Sequence, residues 1–515
     1  MRSSRSPAPA RRRSRLSRSV EETFDSSLMN TRMLALQYDP GEIRVRFHAF
    51  RDYVALLPTR YAAALLLAQL AYSAWAAFAA HEAGSGRTPF SELKVGDAVG
   101  VVLREAGWAR LLLLAILVAF LLFRGTRTVY LVDFATFDAP EEWKVTKAEL
   151  LTVLRHAGEQ RQTFGEEDLA FMEKVLANSG TGDATAWPPS MVKCKSPHIA
   201  PDESMHAARQ EAEMVFIKCV GQLLRQTNVR AKEVDFLIVN CSLFSPTPSL
   251  CAMISNQFGM RTNVKTFNLS GQGCSASLIA VDLAAELLQN NPHTTALVVS
   301  TEIISQSLYH GHEKAMLLQN TLFRCGGAAV MLSNKPALSW KAKYRLNTLV
   351  RTQCCDNESH HAVFQCEDGA ANGGIRLSKK IVEVAGNAMK INLTNLGPRV
   401  LPLSEQIKVL FSIIGRGFGV KRYVPDFKTA IDFFCIHAGG RAVLDGIEKN
   451  LRLLPEDMLP SRTVLHERGN TSSSSIWYEL QYVEEHKRLR RGHQVLQLAF
   501  GSGFKCNSAV WRRLR

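Results

Sequence analysis

Hydrophobic positions divide the chain into two regimes. Between Tyr53 and Ala80 they are nearly continuous, interrupted only by Arg60, and the 20 residues after Arg60 suffice for one bilayer crossing. A polar, glycine-containing loop follows, then a second apolar run from Trp108 to Phe123 that contains Arg110 and is closed by Arg124 and Arg127. This run is short for a full span, but Arg110 can snorkel to lengthen it and Trp108 suits an interface. Together they predict a transmembrane helical hairpin over residues 53–127, with a buried core helix or a re-entrant segment as the alternative for the second run.

From Val129 onward hydrophobicity falls, no further run is long enough to span, and the periods alternate. A helical stretch is predicted around Ala148 to Ala157, ahead of the loop from Asn178 to Pro189. Met205 to Gln226 carries Ala208, Ala212, Val215 and Leu223 on one helical face. Val234 to Asn240 and Thr295 to Ser300 are apolar runs of strand length, the second capped by Thr301 and Glu302. The later half repeats the theme: an apolar run from Phe427 ends at His437-Ala-Gly-Gly440, a helix is predicted over 441–453, and a strand over 494–500 runs into Gly501-Ser-Gly503. Alternating buried strands and helices predict an α/β layered fold with mostly parallel strands. Two similar halves, 128–340 and 341–515, predict a duplicated core with the site between them.

Composition narrows this only a little. The chain of 515 residues is 46% hydrophobic and 21% charged, ordinary for a globular protein, and its net charge of +15 is concentrated. Seven arginines crowd residues 2–18 among Ser, Pro and Ala, which reads as a disordered basic tail over residues 1–52. A nucleic-acid tail, an organelle transit peptide and the cytosolic flank of a membrane segment compete for it, and the apolar runs that follow favour the third. Eleven scattered cysteines without paired CxxC spacing indicate neither a disulfide framework nor a zinc site. His310 and His312 beside Glu313 offer a metal pair on paper, but an exposed loop is the simpler reading.

Candidate chemistry centres on Ser270-Gly-Gln-Gly-Cys274, a glycine-rich turn that delivers Cys274 to the start of a helix apolar on all sides. Unpaired N–H groups and the macrodipole at a helix N-terminus favour a thiolate by roughly 0.3–2 kcal/mol, the usual way a cysteine becomes a nucleophile. His437 ends a buried strand before a glycine turn, so its ring can face a cavity. Asn470 follows Gly469, where a tight turn can present an amide donor, and Gly501-Ser502-Gly503 offers backbone N–H groups suited to an oxyanion. Asp282 on the cysteine's helix and Lys505 are secondary candidates, the first for orienting catalysis and the second for a CoA phosphate.

The stretches Asn240-Cys-Ser-Leu-Phe-Ser-Pro-Thr-Pro-Ser-Leu250, Gly273-Cys-Ser-Ala276, Leu322-Phe-Arg-Cys-Gly-Gly-Ala328, Cys435-Ile-His-Ala-Gly-Gly-Arg441, Gly469-Asn-Thr-Ser-Ser-Ser-Ser475 and Gly503-Phe-Lys-Cys-Asn-Ser-Ala509 resemble the 3-ketoacyl-CoA synthases. These are the membrane-bound condensing enzymes of plant and algal very-long-chain fatty acid elongation. The resemblance runs from about Tyr130 to Trp511. It implies a duplicated thiolase-like αβαβα fold behind the hairpin, with Cys274, His437 and Asn470 catalytic. It also implies an oxyanion hole from the N–H groups of Cys274 and Ser502, with His466, Gly501 and Gly503 in supporting places. The implied substrates are a long-chain acyl-CoA and malonyl-CoA, with no metal or other cofactor and no nucleic acid. A homodimer, membrane lipid and the other elongase subunits (ketoreductase, dehydratase, enoyl reductase) are the expected partners. The expected location is the endoplasmic reticulum membrane with the catalytic domain in the cytosol. Four positions depart from the family pattern: Gln353 and Phe433 stand where histidines are usual, and the turn before the nucleophile reads Ser270-Gly-Gln272-Gly in place of the usual Gly-Gly-Met-Gly. A polyketide-type condensing enzyme and a catalytically silent elongase partner are the competing readings; the anchor speaks against the first and the intact triad against the second.

Overall fold

The computed structural model describes residues 127–414 and 423–515. The expected tail and hairpin therefore lie outside the described residues except for Arg127, and among the described residues no helix is long and apolar enough to cross a membrane. Nine strands join through hydrogen bonds: β1 Tyr130–Thr136, β2 Phe236–Asn240, β3 Lys265–Leu269, β4 Thr295–Glu302, β5 Gly326–Ser333, β6 Tyr344–Gln353, β7 Phe433–Ile436, β8 Gln494–Gly501 and β9 Lys505–Arg513. Their spatial order is β7-β8-β9-β6-β1-β5-β4-β2-β3.

The expectation of mostly parallel strands is corrected, for five of the eight ladders are antiparallel: each half closes its parallel pair with strands that run back beside it. The pairing pattern repeats. β2 runs parallel to β4, which pairs antiparallel with β5, itself antiparallel to β1. In the same way β7 runs parallel to β8, β8 antiparallel to β9, and β9 antiparallel to β6. The two sets meet only where Tyr130 faces Arg345 and Leu131 faces Tyr344, after which β1 and β6 run apart. The result is two half-sheets hinged at that contact, with β3 as an extra parallel strand on the first.

Six helices fill the layers: α1 Met205–Thr227, α2 Ala276–Asn290, α3 Ile381–Val400, α4 Arg441–Leu451, α5 Pro455–Arg468 and α6 Ser475–His486. Because side chains alternate along a strand, each half-sheet buries two faces. Leu297 and Val299 of β4 pack outward with Ala212, Val215 and Cys219 of α1, whereas Ala296 and Val298 pack inward with Leu278 and Val281 of α2. In the other half Leu496 and Leu498 of β8 face Ala388, Leu444 and Val464 of α3, α4 and α5, while Val495 and Ala499 share the central cluster with Trp477 and Leu480 of α6. These contacts build the layers αβαβα, with α2 and α6 in the middle. That position explains why α2 has no polar stripe: both of its sides meet a sheet.

Local chemistry sets the helix ends. Ser204 caps α1 by accepting from Ala207 N at 3.2 Å, and Asn228 closes it in the left-handed region at φ 54°. β4 extends two residues beyond the strand predicted over 295–300, because its polar end is satisfied inside the protein. Thr301 Oγ1 donates to Gly326 O at 2.8 Å, and Glu302 accepts the backbone N–H groups of Ser242 and Leu243 at 2.9 and 2.8 Å.

Candidate active site

A one-turn helical segment precedes each central helix, Gly273–Ser275 ahead of α2 and Ser472–Ser474 ahead of α6. The two segments touch, and each packs on the strand end of the opposite half: Gly273–Ser275 on β8 and Ser472–Ser474 on β4. Glycines permit this crossed seating. Gly273 sits at φ 69°, and a Cβ there would overlap Ser502 N and lie 2.6 Å from Ser502 Oγ. A Cβ at Gly501 would likewise lie 2.6 Å from Ser275 Oγ. From the first half, Ser242 Oγ accepts from Gly273 N at 2.9 Å and braces the turn that carries Cys274.

A cavity of about 930 Å³ opens at this crossing and is lined by Cys274, His437, Asn470 and the turn Gly501–Gly503. The remainder of its wall is largely apolar, with Phe171, Val175, Leu322, Phe364, Ile375 and Ile381 among its members. His437 is buried at the end of β7, its N–H donating to Leu498 O at 2.9 Å and its Nδ1 lying 2.6 Å from Ser475 Oγ. Gly439 lets the chain turn back over the ring, for a Cβ there would stand 3.2 Å from His437 Nε2. Asn470 Oδ1 accepts from Ser472 N at 2.9 Å, which orients the amide so that Nδ2 donates to Gly439 O at 3.2 Å. An amide nitrogen has two hydrogens, so one remains beyond that bond. The carbonyl of Asn470 accepts from Arg324 N at 2.9 Å.

Burial dominates the electrostatics. It pushes the Cys274 thiol up to about 11, helped by the nearby Glu302 carboxylate and opposed by the Ser472 hydroxyl. It pushes His437 down to about 4. At neutral pH the resting pair is thus a thiol and a neutral imidazole. The helix N-terminus favours a thiolate but does not set the resting state: a macrodipole worth at most about 2 kcal/mol is outweighed by desolvation, which can move a pKa by roughly 3–5 units. Glu302 has its own pKa raised by burial, and its second oxygen accepts from Ser472 Oγ at 2.9 Å.

The same architecture occurs in solved structures. The chain matches 1,3,6,8-tetrahydroxynaphthalene synthase from Streptomyces coelicolor, a bacterial type III polyketide synthase, with TM-score 0.59 at 18% identity, covering 75% of this chain and 99% of that one. The type III polyketide synthase domain of Dictyostelium Steely1 gives TM-score 0.58 at 16% identity over 75% and 100%. These likenesses establish the thiolase-like fold. Residues 121–418 match the family model described as FAE1/Type III polyketide synthase-like protein, and residues 428–513 match the C-terminal model of 3-oxoacyl-(acyl-carrier-protein) synthase III. Among named relatives, 3-ketoacyl-CoA synthase 6 of Arabidopsis thaliana is 49% identical over 390 residues, 75% of this chain and 77% of its own length. Probable 3-ketoacyl-CoA synthase 20 of Oryza sativa subsp. japonica is 49% identical over 76% of this chain and 74% of its own length.

The chain belongs to the 3-ketoacyl-CoA synthase family. Against that pattern, its departures fall in different places. Gln353 lines the cavity, so the amide that stands for the family's histidine faces the same space as Cys274. Phe433 does not; its ring lies 5.6 Å from His493 at the start of β7. Gln272 is half-buried outside the cavity wall, its Nε2 directed at Ser270 O.

The other singled-out residues separate clearly. Gly501, Ser502 and Gly503 line the cavity, whereas His466 does not: it is exposed on α5, its ring against Gly182 and its carbonyl accepting from Gly182 N at 2.7 Å. Its proximity in sequence to Asn470 is lost because α5 ends between them at Gly469. Lys505 does reach the cavity, but its Nζ donates to Ser502 O at 2.8 Å and so buttresses the turn. Asp282 pairs with Arg351 at 3.2 Å, away from the cavity. His310 meets Glu203 at 2.7 Å and His312 meets Asp168 at 2.6 Å, so the two rings serve different carboxylates. Residues missed from sequence are the supports: Ser242, Glu302, Arg324, Ser472 and Ser475. Each stood in a stretch already singled out, Ser242 in Asn240–Leu250, Glu302 at the end of a buried strand, Arg324 in Leu322–Ala328, and Ser472 and Ser475 in Gly469–Ser475, but none carried a mark of its supporting role.

Proposed function

We propose that this protein catalyses the decarboxylative condensation of malonyl-CoA with a long-chain acyl-CoA, the first step of very-long-chain fatty acid elongation, through an acyl-Cys274 thioester. The observation that carries the reading is that Cys274, His437, Asn470 and the Gly501–Gly503 turn line one largely apolar cavity in a 3-ketoacyl-CoA synthase.

Each step follows from the resting state. The neutral His437 ring takes the Cys274 proton as sulfur attacks the acyl-CoA carbonyl, since a thiol pushed up to about 11 is a poor nucleophile until it is deprotonated. The tetrahedral oxyanion is held by the N–H groups of Cys274 and Ser502. Its collapse expels the CoA thiolate, which receives the proton from His437. Malonyl-CoA then enters, and His437 and Asn470 donate from Nε2 and Nδ2 to its thioester oxygen. Loss of CO2 leaves an enolate stabilised by these donors, which attacks the acyl carbonyl. The Cys274 thiolate departs and takes up the one proton the reaction consumes from water entering the emptied site, and a 3-ketoacyl-CoA two carbons longer is released. The two roles of His437 require opposite tautomers. Ser475 serves both, because its hydroxyl can accept from Nδ1–H or donate to a bare Nδ1 across the same 2.6 Å contact. The chemistry calls for no metal or other cofactor.

We place the protein as a homodimer in the endoplasmic reticulum membrane, held by the apolar runs before Arg127 and working beside the ketoreductase, dehydratase and enoyl reductase that complete a cycle. Membranes expressing the chain, given labelled malonyl-CoA and a panel of long acyl-CoAs, should form 3-ketoacyl products that disappear in Cys274→Ala. Intact protein that yields no product from any primer would refute the condensing role, and products of repeated malonyl addition would assign polyketide chemistry. A reporter fused after residue 50 tests the location: plastid import would overturn it.

A further inference from the structure

The central helix α2 leads away from Cys274 for 15 residues, so its far end lies roughly 22 Å from the cavity. There the turn after α6, the end of β9, the lead into β6 and Arg127 are tied into one surface. Gly492 N donates to Arg513 O at 2.9 Å, Arg513 N to His493 O at 2.8 Å, Leu514 N to Lys343 O at 2.9 Å and Leu346 N to Val129 O at 3.0 Å. Arg127 joins it through a bond to Gln289 O at 2.6 Å, in the last turn of α2.

This pole is strongly basic, and apart from the exposed Glu286 on α2 its acids are already engaged. Glu484 takes Lys343 at 2.9 Å and Arg513 at 2.6 Å, Asp133 takes Lys343 at 2.7 Å, Glu485 accepts from Gln481, and Asp432 accepts from Gln494 N. What remains is Arg488, Arg490 and Arg491 in the turn, with Arg512 and Arg515 beside them, all exposed and, among the described residues, without a carboxylate partner. The negative ends of two helices account for a cation or two, not five. Trp340, 69% exposed under the Lys341 ammonium, adds a large aromatic next to the same lead into β6.

We propose that this pole rests on the anionic headgroups of a bilayer, the five arginines meeting lipid phosphates and Trp340 entering the interface. The inference builds on the reading that the apolar runs anchor the chain. Charge complementarity calls for an anionic partner, and chain continuity selects which one: Arg127 follows Phe123, the last apolar residue of the second run, by four residues, a reach of at most about 14 Å. An anchored chain therefore holds this face beside the lipid. The far pole carrying the cavity then faces away from the headgroups.

The test uses the full chain in nanodiscs of phosphatidylcholine, alone or with phosphatidylserine, read by amide hydrogen exchange. Each basic side chain at an anionic surface is worth about a fivefold gain in partition, so exchange over 487–493 and 512–515 should slow by about tenfold or more only in the anionic discs, and recover in high salt. The variant R488Q/R490Q/R491Q/R512Q/R515Q, which alters exposed side chains alone, should abolish the difference while keeping condensing activity in detergent. Equal exchange in both lipids, or protection produced instead by soluble poly-glutamate, would overturn the bilayer contact. Carbonate extraction of membranes expressing the full chain tests the anchor separately: a chain that washes off refutes the anchor itself, whereas one that stays but shows equal exchange in the two nanodiscs refutes only the surface contact.

Discussion

Gly273→Ala probes the crossing of the two halves. Two costs are separable. The first is backbone strain, about 1–2 kcal/mol for a β-carbon at φ 69°. The second is collision: the new methyl would stand 2.6 Å from Ser502 Oγ and 3.1 Å from the Gly501 carbonyl carbon, the first of these roughly 0.9 Å inside ordinary contact. Since Ser502 N is overlapped as well, the two backbones must part by roughly 1 Å, enough to withdraw one oxyanion donor from its target. Loss of such a donor costs about 10²–10³ in rate. Single-turnover formation of the acyl-enzyme from labelled acyl-CoA should therefore fall by about 100- to 1000-fold. Malonyl-CoA decarboxylation, which depends on His437 and Asn470, should change only a few-fold. Gly259→Ala supplies the control for strain, having φ 56° and nothing within 4 Å of the added carbon. If acylation by Gly273→Ala matched that control, Ser502 would not be the donor and the oxyanion assignment would fail.

Three further outcomes follow from the buried groups. His437 has a folded-state pKa near 4 against about 6.5 unfolded, so between these values the unfolded chain binds the extra proton and stability falls as pH drops. Urea titrations at pH 7 and pH 4 should show a loss of about 3 kcal/mol that His437→Gln does not share. Alkylation of Cys274 by iodoacetamide, with the other cysteines followed by mass spectrometry, should keep rising about tenfold per pH unit through pH 9 and towards 11; a plateau near neutrality would show a preformed thiolate. Arg324 is a buried cation, lowered to about 9 by desolvation, whose bonds go to Thr185 Oγ1 at 2.7 Å, Thr321 O at 2.9 Å and Phe323 O at 2.8 Å. Arg324→Met should cost about 2–4 kcal/mol on thermal unfolding and slow decarboxylation more than acylation, because the lost side-chain bonds fix the stretch whose backbone N–H holds Asn470 O; an equal effect on both steps would remove it as a positioning residue.

Sequence carried the layered α/β class and the central chemistry because both leave local marks. Long apolar runs announced β2, β4 and β8, and α1 began at Met205 as its periodicity required. Cys274, His437 and Asn470 were legible because each stands beside glycines at an element's end. What escaped depends on tertiary partners. β9 was not foreseen, since Asn507 and Ser508 interrupt its hydrophobic pattern although both are buried beneath the other layers. His466 misled for the opposite reason: four residues from Asn470 along the chain, it was carried to the outer surface by the helix that ends between them. The thiol's resting state was not legible, because helix position is written in sequence and desolvation is not. Glu302 and Ser472, the groups beside Cys274, come from opposite halves, and no local pattern joins them.

The crossed seating of the two turns also bears on biosynthesis. Cys274 leaves the ribosome well before Asn470 and the Gly501–Gly503 turn exist, and the half that carries it has no seat for its turn until β8 is in place. A partly made chain thus holds a cysteine without its catalytic partners. The oxyanion turn Gly501–Gly503 and the donors His437 and Asn470 join Cys274 only once the polypeptide is complete, so whatever acylation a truncated chain undergoes is uncatalysed.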